Sequence, residues 1–116
     1  MKKIDPISTE IIRNAFISIA QDMNAVLIRS AYTPVIYEGK DCVVALLDEK
    51  GEVLGQSSGL PLFLGNLQVC VQETARIYGW DYFQEGDIFF VNDSFFTGTH
   101  LNDITIFAPI FWNKQL

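Results

Sequence analysis

A helical apolar repeat near the start of the chain is the strongest constraint on its fold. Ile12, Ala15, Phe16, Ile19, Met23, Val26 and Leu27 recur at three- and four-residue steps, with Arg13, Asn14, Gln21 and Asp22 on other faces. Asp5-Pro6 opens the segment. The carboxylate can accept from free amides of the first turn, and proline fits the first helical position because it has no N–H to leave unpaired. Pro34 closes it, since the residue before a proline is biased out of helical geometry. The spacing predicts one long amphipathic helix ending between Ala31 and Pro34, which needs the rest of the chain to cover its apolar stripe.

Shorter elements follow. Cys42 to Leu47 is apolar and partly β-branched, Asp48-Glu49-Lys50-Gly51 supplies a tight reversal, and Glu52 to Gly55 reads as the return strand of a hairpin. Gln56 to Gly65 is a Gly-, Ser- and Pro-rich loop. Leu67, Val71, Ala75 and Tyr78 mark a second helix, stopped by Gly79. Asp81 to Gly86 is a turn, Ile88 to Val91 a strand, Asn92 to Asn102 a polar loop, and Ile104 to Phe111 a strand that tolerates Pro109 only at an edge or irregularity. The expected class is α+β: a mixed β-sheet with a hairpin and two packed amphipathic helices.

With 116 residues, 49% of them hydrophobic, residues 1–116 are expected to form a single domain around one core. Phe89-Phe90, Phe95-Phe96, Phe107, Phe111 and Trp112 are more aromatic surface than so small a domain readily hides. That crowding hints at a missing partner or a missing continuation of the chain.

Charge excludes some functions. The net charge is −6, from 8 Lys and Arg against 14 Asp and Glu, and Lys2-Lys3 is the only basic doublet, so no basic cluster is present to bind nucleic acid or an anionic membrane. The doublet lacks the apolar segment of a signal peptide, and runs such as Phe107 to Trp112 are too short to span a bilayer. A cytoplasmic protein is the expectation. Cys42 and Cys70 have no CxxC spacing and read as small buried hydrophobes.

The loop from Val91 to Ile104 concentrates the chemistry. It holds Asn92, Asp93, Gly98, Thr99, Asp103 and the single histidine of the chain, His100. Imidazole with carboxylate oxygens suits a divalent metal such as Mn, Fe or Zn, and Asp41, following Glu38-Gly39-Lys40, is the distant candidate for a further ligand. A blander reading stays open beside it: a polar-loop histidine with hydrogen bonds only, Asn and Asp engaged in turns, and Glu38 pairing with Lys40. A Ser94, His100, Asp103 acyl-transfer set lacks the Gly-x-Ser-x-Gly turn. A phosphate-binding role for the Gln56 to Gly65 loop lacks the Gly pattern followed by Lys.

Several blocks, in order along almost the whole chain, resemble the hydantoinase B/oxoprolinase family. They are Asp5-Pro6-Ile7, Arg29-Ser30-Ala31-Tyr32-Thr33-Pro34, Glu38 to Asp41, Gly59-Leu60-Pro61 with Leu64-Gly65-Asn66, Asn92-Asp93, and above all Gly98-Thr99-His100-Leu101-Asn102-Asp103-Ile104. The resemblance implies that the chain is the incomplete N-terminal part of a larger fold and a piece of an ATP-dependent cyclic amide hydrolase, inactive when isolated. A hydantoinase A-type partner subunit would use the ATP to activate a carbonyl, so that a hetero-oligomer is expected. By the same resemblance Asp41, His100 and Asp103 are metal ligands, Glu38 a proton-transfer candidate, and Asn92, Asp93, Gly98 and Thr99 shape the site. A further histidine-bearing stretch would be expected downstream of Leu116. The substrate would be a small cyclic amide or, in a related carboxylase, a ketone; a structural or assembly module without chemistry is the alternative. Cys42 and Ser94-Phe95-Phe96-Thr97 depart from the residues frequent in that family, an aromatic and a Pro-Tyr-x-Gly-like run. The second departure bears on the substrate pocket.

Overall fold

The computed structural model describes residues 5–59, 63, 65–95, 98 and 100–116. Lys2-Lys3, Leu60-Pro61, Leu64, Phe96-Thr97 and Thr99, named above, lie outside the described residues. The described elements are helix α1 (Pro6–Ser30), the single-turn helix α2 (Pro34–Tyr37), strands β1 (Ala45–Leu47) and β2 (Val53–Gln56), helix α3 (Asn66–Tyr78), a 3-10 turn (Trp80–Tyr82), and strands β3 (Phe89–Val91) and β4 (Thr105–Phe107). The class is α+β. Contacts divide the chain into two compact units, the first holding the described residues up to 47 together with 53–59, the second holding 48–52 and those from 63 onward. No helix among the described residues is long and apolar enough to cross a membrane.

In the first unit, the Asp5 carboxylate caps α1: Oδ1 accepts from the amide of Ile7 at 3.3 Å, and Oδ2 from the amide and hydroxyl of Ser8 at 3.1 and 2.7 Å. These bonds favour the ionised form, so the Asp5 pKa lies below the ordinary carboxylate value. Proline at the first helical position and the extended Ala31 at the far end bound the helix as its sequence dictates. The face that packs inward is rotated from the one the apolar repeat marks, sharing Phe16 with it. Ala20 is fully buried, and Phe16, Ile17, Asn24 and Ile28 are half-buried around it, whereas Ile12, Ile19, Met23 and Val26 are exposed. The cause is Gly55 on β2: a Cβ there would lie 2.6 Å from the carbonyl carbon of Phe16 and 2.8 Å from the amide nitrogen of Ile17. Strand backbone meets helix backbone at that point, on the side of α1 where small Ala20 is fully buried.

β1 and β2 pair antiparallel, Ala45 with Gln56, Leu46 with Gly55 and Leu47 with Val53, with an irregularity between Leu46 and Leu47. Residues 42–44 fall short of regular strand, but buried Ser57 prolongs the pairing: its amide donates to the Val44 carbonyl at 2.8 Å and its Oγ accepts from the Val44 amide at 3.0 Å.

In the second unit, residues 48–52 form a side-chain-templated turn, Asp48 Oδ1 accepting from the amides of Lys50 at 2.9 Å and Glu52 at 2.8 Å. α3 buries Cys70, Val71, Thr74 and Ala75 and ends where Gly79, at φ 87°, donates its amide to the Ala75 carbonyl at 2.7 Å. β3 and β4 pair antiparallel, Phe89 with Phe107, Phe90 with Ile106 and Val91 with Thr105. The two-residue period turns Phe89 and Phe107 inward and leaves Phe90 and Ile106 exposed. Phe89 and Phe107 stack at 4.8 Å between ring centres, and buried Phe83 meets them edge-on at 4.8 and 5.9 Å. Phe90, Phe95 and Trp112 stay exposed, as the aromatic crowding foreshadowed.

Three expectations need correction. The strands described form two separate antiparallel pairs rather than one mixed sheet. Each pair is closed by its own connection, and antiparallel pairing needs no crossover helix. A third helix, α2, stands where only the end of the first was expected; Thr33-Pro34 carries the start signal, a cap residue followed by proline. The last strand also stops at Phe107, ahead of Pro109, which has no amide to donate to a ladder.

Candidate metal centre

Each expected ligand sits in a segment tied by backbone bonds. In the second unit the register of β3 on β4 sets Val91 opposite Thr105, closing the base of the loop that carries His100 and Asp103. Within it, residues 100–103 form a turn in which the Asp103 amide donates to the His100 carbonyl at 3.2 Å. The Asp103 carboxylate answers from the other side: Oδ2 accepts from the His100 amide at 2.9 Å and Oδ1 lies 3.5 Å from the imidazole Nδ1. The ring itself is half-exposed, while Asp103 is the more covered of the two.

Asn92, directly after β3, reaches across the loop. Its Nδ2 donates to the Leu101 carbonyl at 3.3 Å and, in a closer contact, to the Asp103 carbonyl. Asp93 Oδ1 accepts from the Phe95 amide at 2.9 Å, the local side-chain turn expected of an aspartate there. A Cβ on Gly98 would lie 3.1 Å from the His100 carbonyl oxygen and 3.3 Å from the Asp103 Cβ, so glycine lets the chain fold back against the turn.

Asp41 belongs to the first unit, at the end of a knot of backbone bonds that continues α2. The amides of Glu38 and Gly39 donate to the Pro34 carbonyl, Lys40 to Ile36 and Asp41 to Val35, all between 2.9 and 3.1 Å. Gly39 has no room for a side chain, since a Cβ would lie 2.7 Å from the Val35 carbonyl oxygen. Lys40 takes a left-handed φ of 52°, an uncommon conformation for a non-glycine residue and one found more often where function demands a particular geometry. Burial pushes the neighbouring Cys42 thiol up, and the Asp41 carboxylate pushes it further. Glu38 is exposed at the α2 terminus, and no ion pair joins it to Lys40 among the described residues.

The residues present fit a divalent cation on two observations. Asp41 Oδ1 is buried without a hydrogen-bond partner among the described residues, and such an atom is costly unless something positive or donating meets it. The donor types, a carboxylate in the first unit and an imidazole beside a carboxylate in the second, are ones that Mn, Fe or Zn accept, and no thiolate is among them. The structure brings His100 and Asp103 together. Within either unit, no three His, Cys, Asp or Glu side chains are gathered among the described residues. Reasoning from residue types singled out Asn92, which does bond to backbone carbonyls, but missed Gly39, for which the Glu38-Gly39-Lys40 stretch was the one signal.

The profile of the Hydantoinase B/oxoprolinase family matches residues 5–116, and the chain belongs to that family. It is similar to an uncharacterized protein of Methanocaldococcus jannaschii, 34% identical over 115 residues that cover 97% of this chain and 20% of that protein. It also resembles the 5-oxoprolinase of Saccharomyces cerevisiae, 32% identical over 109 residues covering 93% of this chain and 8% of that one. The caprolactamase subunit beta of Pseudomonas jessenii is 28% identical over 116 residues, covering 100% of this chain and 20% of the subunit. The chain spans a fifth or less of the length of these relatives. No solved structure matches.

Proposed function

We propose that this chain contributes the metal-binding part of an ATP-dependent hydrolase of small cyclic amides, with Asp41, His100 and Asp103 as ligands of Mn, Zn or Fe. The observation that carries the reading is the buried Asp41 oxygen, without a hydrogen-bond partner among the described residues. The His100–Asp103 pair on its tied turn and family relatives named 5-oxoprolinase and caprolactamase support it. A bound cation would supply Lewis acidity toward a substrate carbonyl. The chain's own residues hold and orient. Asp103 fixes the backbone and ring of His100, Asn92 fixes the turn that bears both, and the α2 knot presents Asp41. Exposed Glu38 has the freedom to carry a proton.

The ATP would be used by a hydantoinase A-type partner subunit, in keeping with a relative that is itself named a subunit. Two free cysteines suit the reducing cytoplasm as the setting. Elemental analysis of the purified protein tests the site. Stoichiometric divalent metal that disappears in His100→Ala, Asp103→Ala and Asp41→Ala is the expected result; a metal content indifferent to all three substitutions sinks the reading.

A further inference from the structure

We propose that Asn92 is the positioning residue of the site, a clamp that holds the His100–Asp103 turn on the end of the β3–β4 pair in the geometry a cation needs. Its role toward a metal rests on the function proposed above; its role toward the turn rests on bonds within the second unit alone.

The carboxamide of Asn92 faces two acceptors, the main-chain carbonyls of Leu101 and Asp103. Only the amide nitrogen carries hydrogens, so facing two carbonyl oxygens fixes which end of the side chain points inward. Both N–H groups are thereby spent on one turn. Within that turn the His100 amide donates to the Asp103 carboxylate and the Asp103 amide to the His100 carbonyl. Such bonds preserve the shape of a turn, and a bond from outside it sets where the turn stands. Asn92 supplies such a tie, because it follows Val91, whose pairing with Thr105 anchors the loop base. Its carboxamide therefore links the turn that bears the imidazole and carboxylate to the end of the β3–β4 pair.

The isosteric substitution Asn92→Asp separates this role from simple proximity. Aspartate has the same shape but no hydrogens to donate, and it would set a carboxylate oxygen against two carbonyl oxygens. It also adds a negative charge to the loop, which by Coulomb's law alone would strengthen cation binding. The clamp predicts the opposite sign.

Three measurements on the protein carrying this sequence test the clamp. Titration calorimetry with Mn²⁺ should show affinity reduced by about tenfold or more in Asn92→Asp, the usual effect of losing a residue that orients ligands. The metal-free thermal midpoint should hardly move, because the bonds lost are exposed. Amide hydrogen exchange by NMR, without metal, should accelerate several-fold at His100 and Asp103, with Thr74 and Ala75 on α3 unchanged. Unchanged exchange at His100 and Asp103 overturns the clamp, and so does affinity that is retained or raised. If the unsubstituted protein binds no cation, exchange alone decides between the outcomes: acceleration upholds the clamp while the metal reading fails.

Discussion

Asp103 touches His100 at two points, its Oδ2 on the backbone amide at 2.9 Å and its Oδ1 3.5 Å from the ring Nδ1. A single carboxylate thus shapes the turn and faces the imidazole it would share a cation with. Asp103→Asn keeps the size and can keep one acceptor oxygen, but it removes the charge. It should retain the turn and bind Zn²⁺ or Mn²⁺ at least about tenfold more weakly, whereas His100→Ala should leave no stoichiometric metal. Competition titrations against a chelating dye measure both. Equal affinity in Asp103→Asn and the parent would remove Asp103 from the ligand set.

Gly55 should be among the least replaceable residues of the first unit. Adding one methyl group drives it into the backbone of Phe16 and Ile17, neither of which can rotate away. Gly55→Ala is expected to destabilise by about 1–3 kcal/mol or more, a large share of a small domain's stability. Urea unfolding followed by circular dichroism reads it, and a loss below a few tenths of a kcal/mol would mean that α1 and β2 lie farther apart than described.

The aromatic cluster offers a second stability test. Phe83 is 4% exposed and sits edge-on to both Phe89 and Phe107, so Phe83→Ala should cost about 3–5 kcal/mol. A double-mutant cycle between Phe89 and Phe107 should give a coupling of about 0.5–1.5 kcal/mol for their near-parallel stack. Strict additivity of Phe89→Leu and Phe107→Leu would contradict that contact.

The Asp5 cap should make the stability of α1 depend on pH. Its carboxyl pKa is lowered in the folded chain from 3.8, so the stabilisation is fully present above that value and is lost as pH falls through the lower folded value. Asp5→Ala is expected to lower the thermal midpoint at neutral pH, with the gap from the parent closing in strong acid. A gap that is constant with pH would show that the cap acts without its charge.

Legibility varied with the kind of interaction involved. α1 was readable from end to end because Asp5-Pro6 and Pro34 are local signals, and its 25 residues match the repeat. Its inward side was not readable. Ile7, Ile11, Ile12 and Ile19 make the helix apolar on more than one face, and the choice fell to a glycine more than twenty residues away. The loop stood out because histidine, aspartate and asparagine cluster there, yet the purpose of Asn92 depends on the β3–β4 register, a long-range fact that spacing does not encode. The β1–β2 hairpin was legible from its tight reversal, but not that β3 and β4 would close as a second antiparallel pair instead of joining one mixed sheet.

Cys70 has no exposed surface, and burial lifts its thiol pKa to about 11. At neutral pH roughly one such thiol in ten thousand carries the reactive charge, so alkylating reagents act almost solely on molecules in which α3 has momentarily lifted away. The second unit therefore contains its own clock: the rate at which Cys70 is labelled counts how often that helix opens.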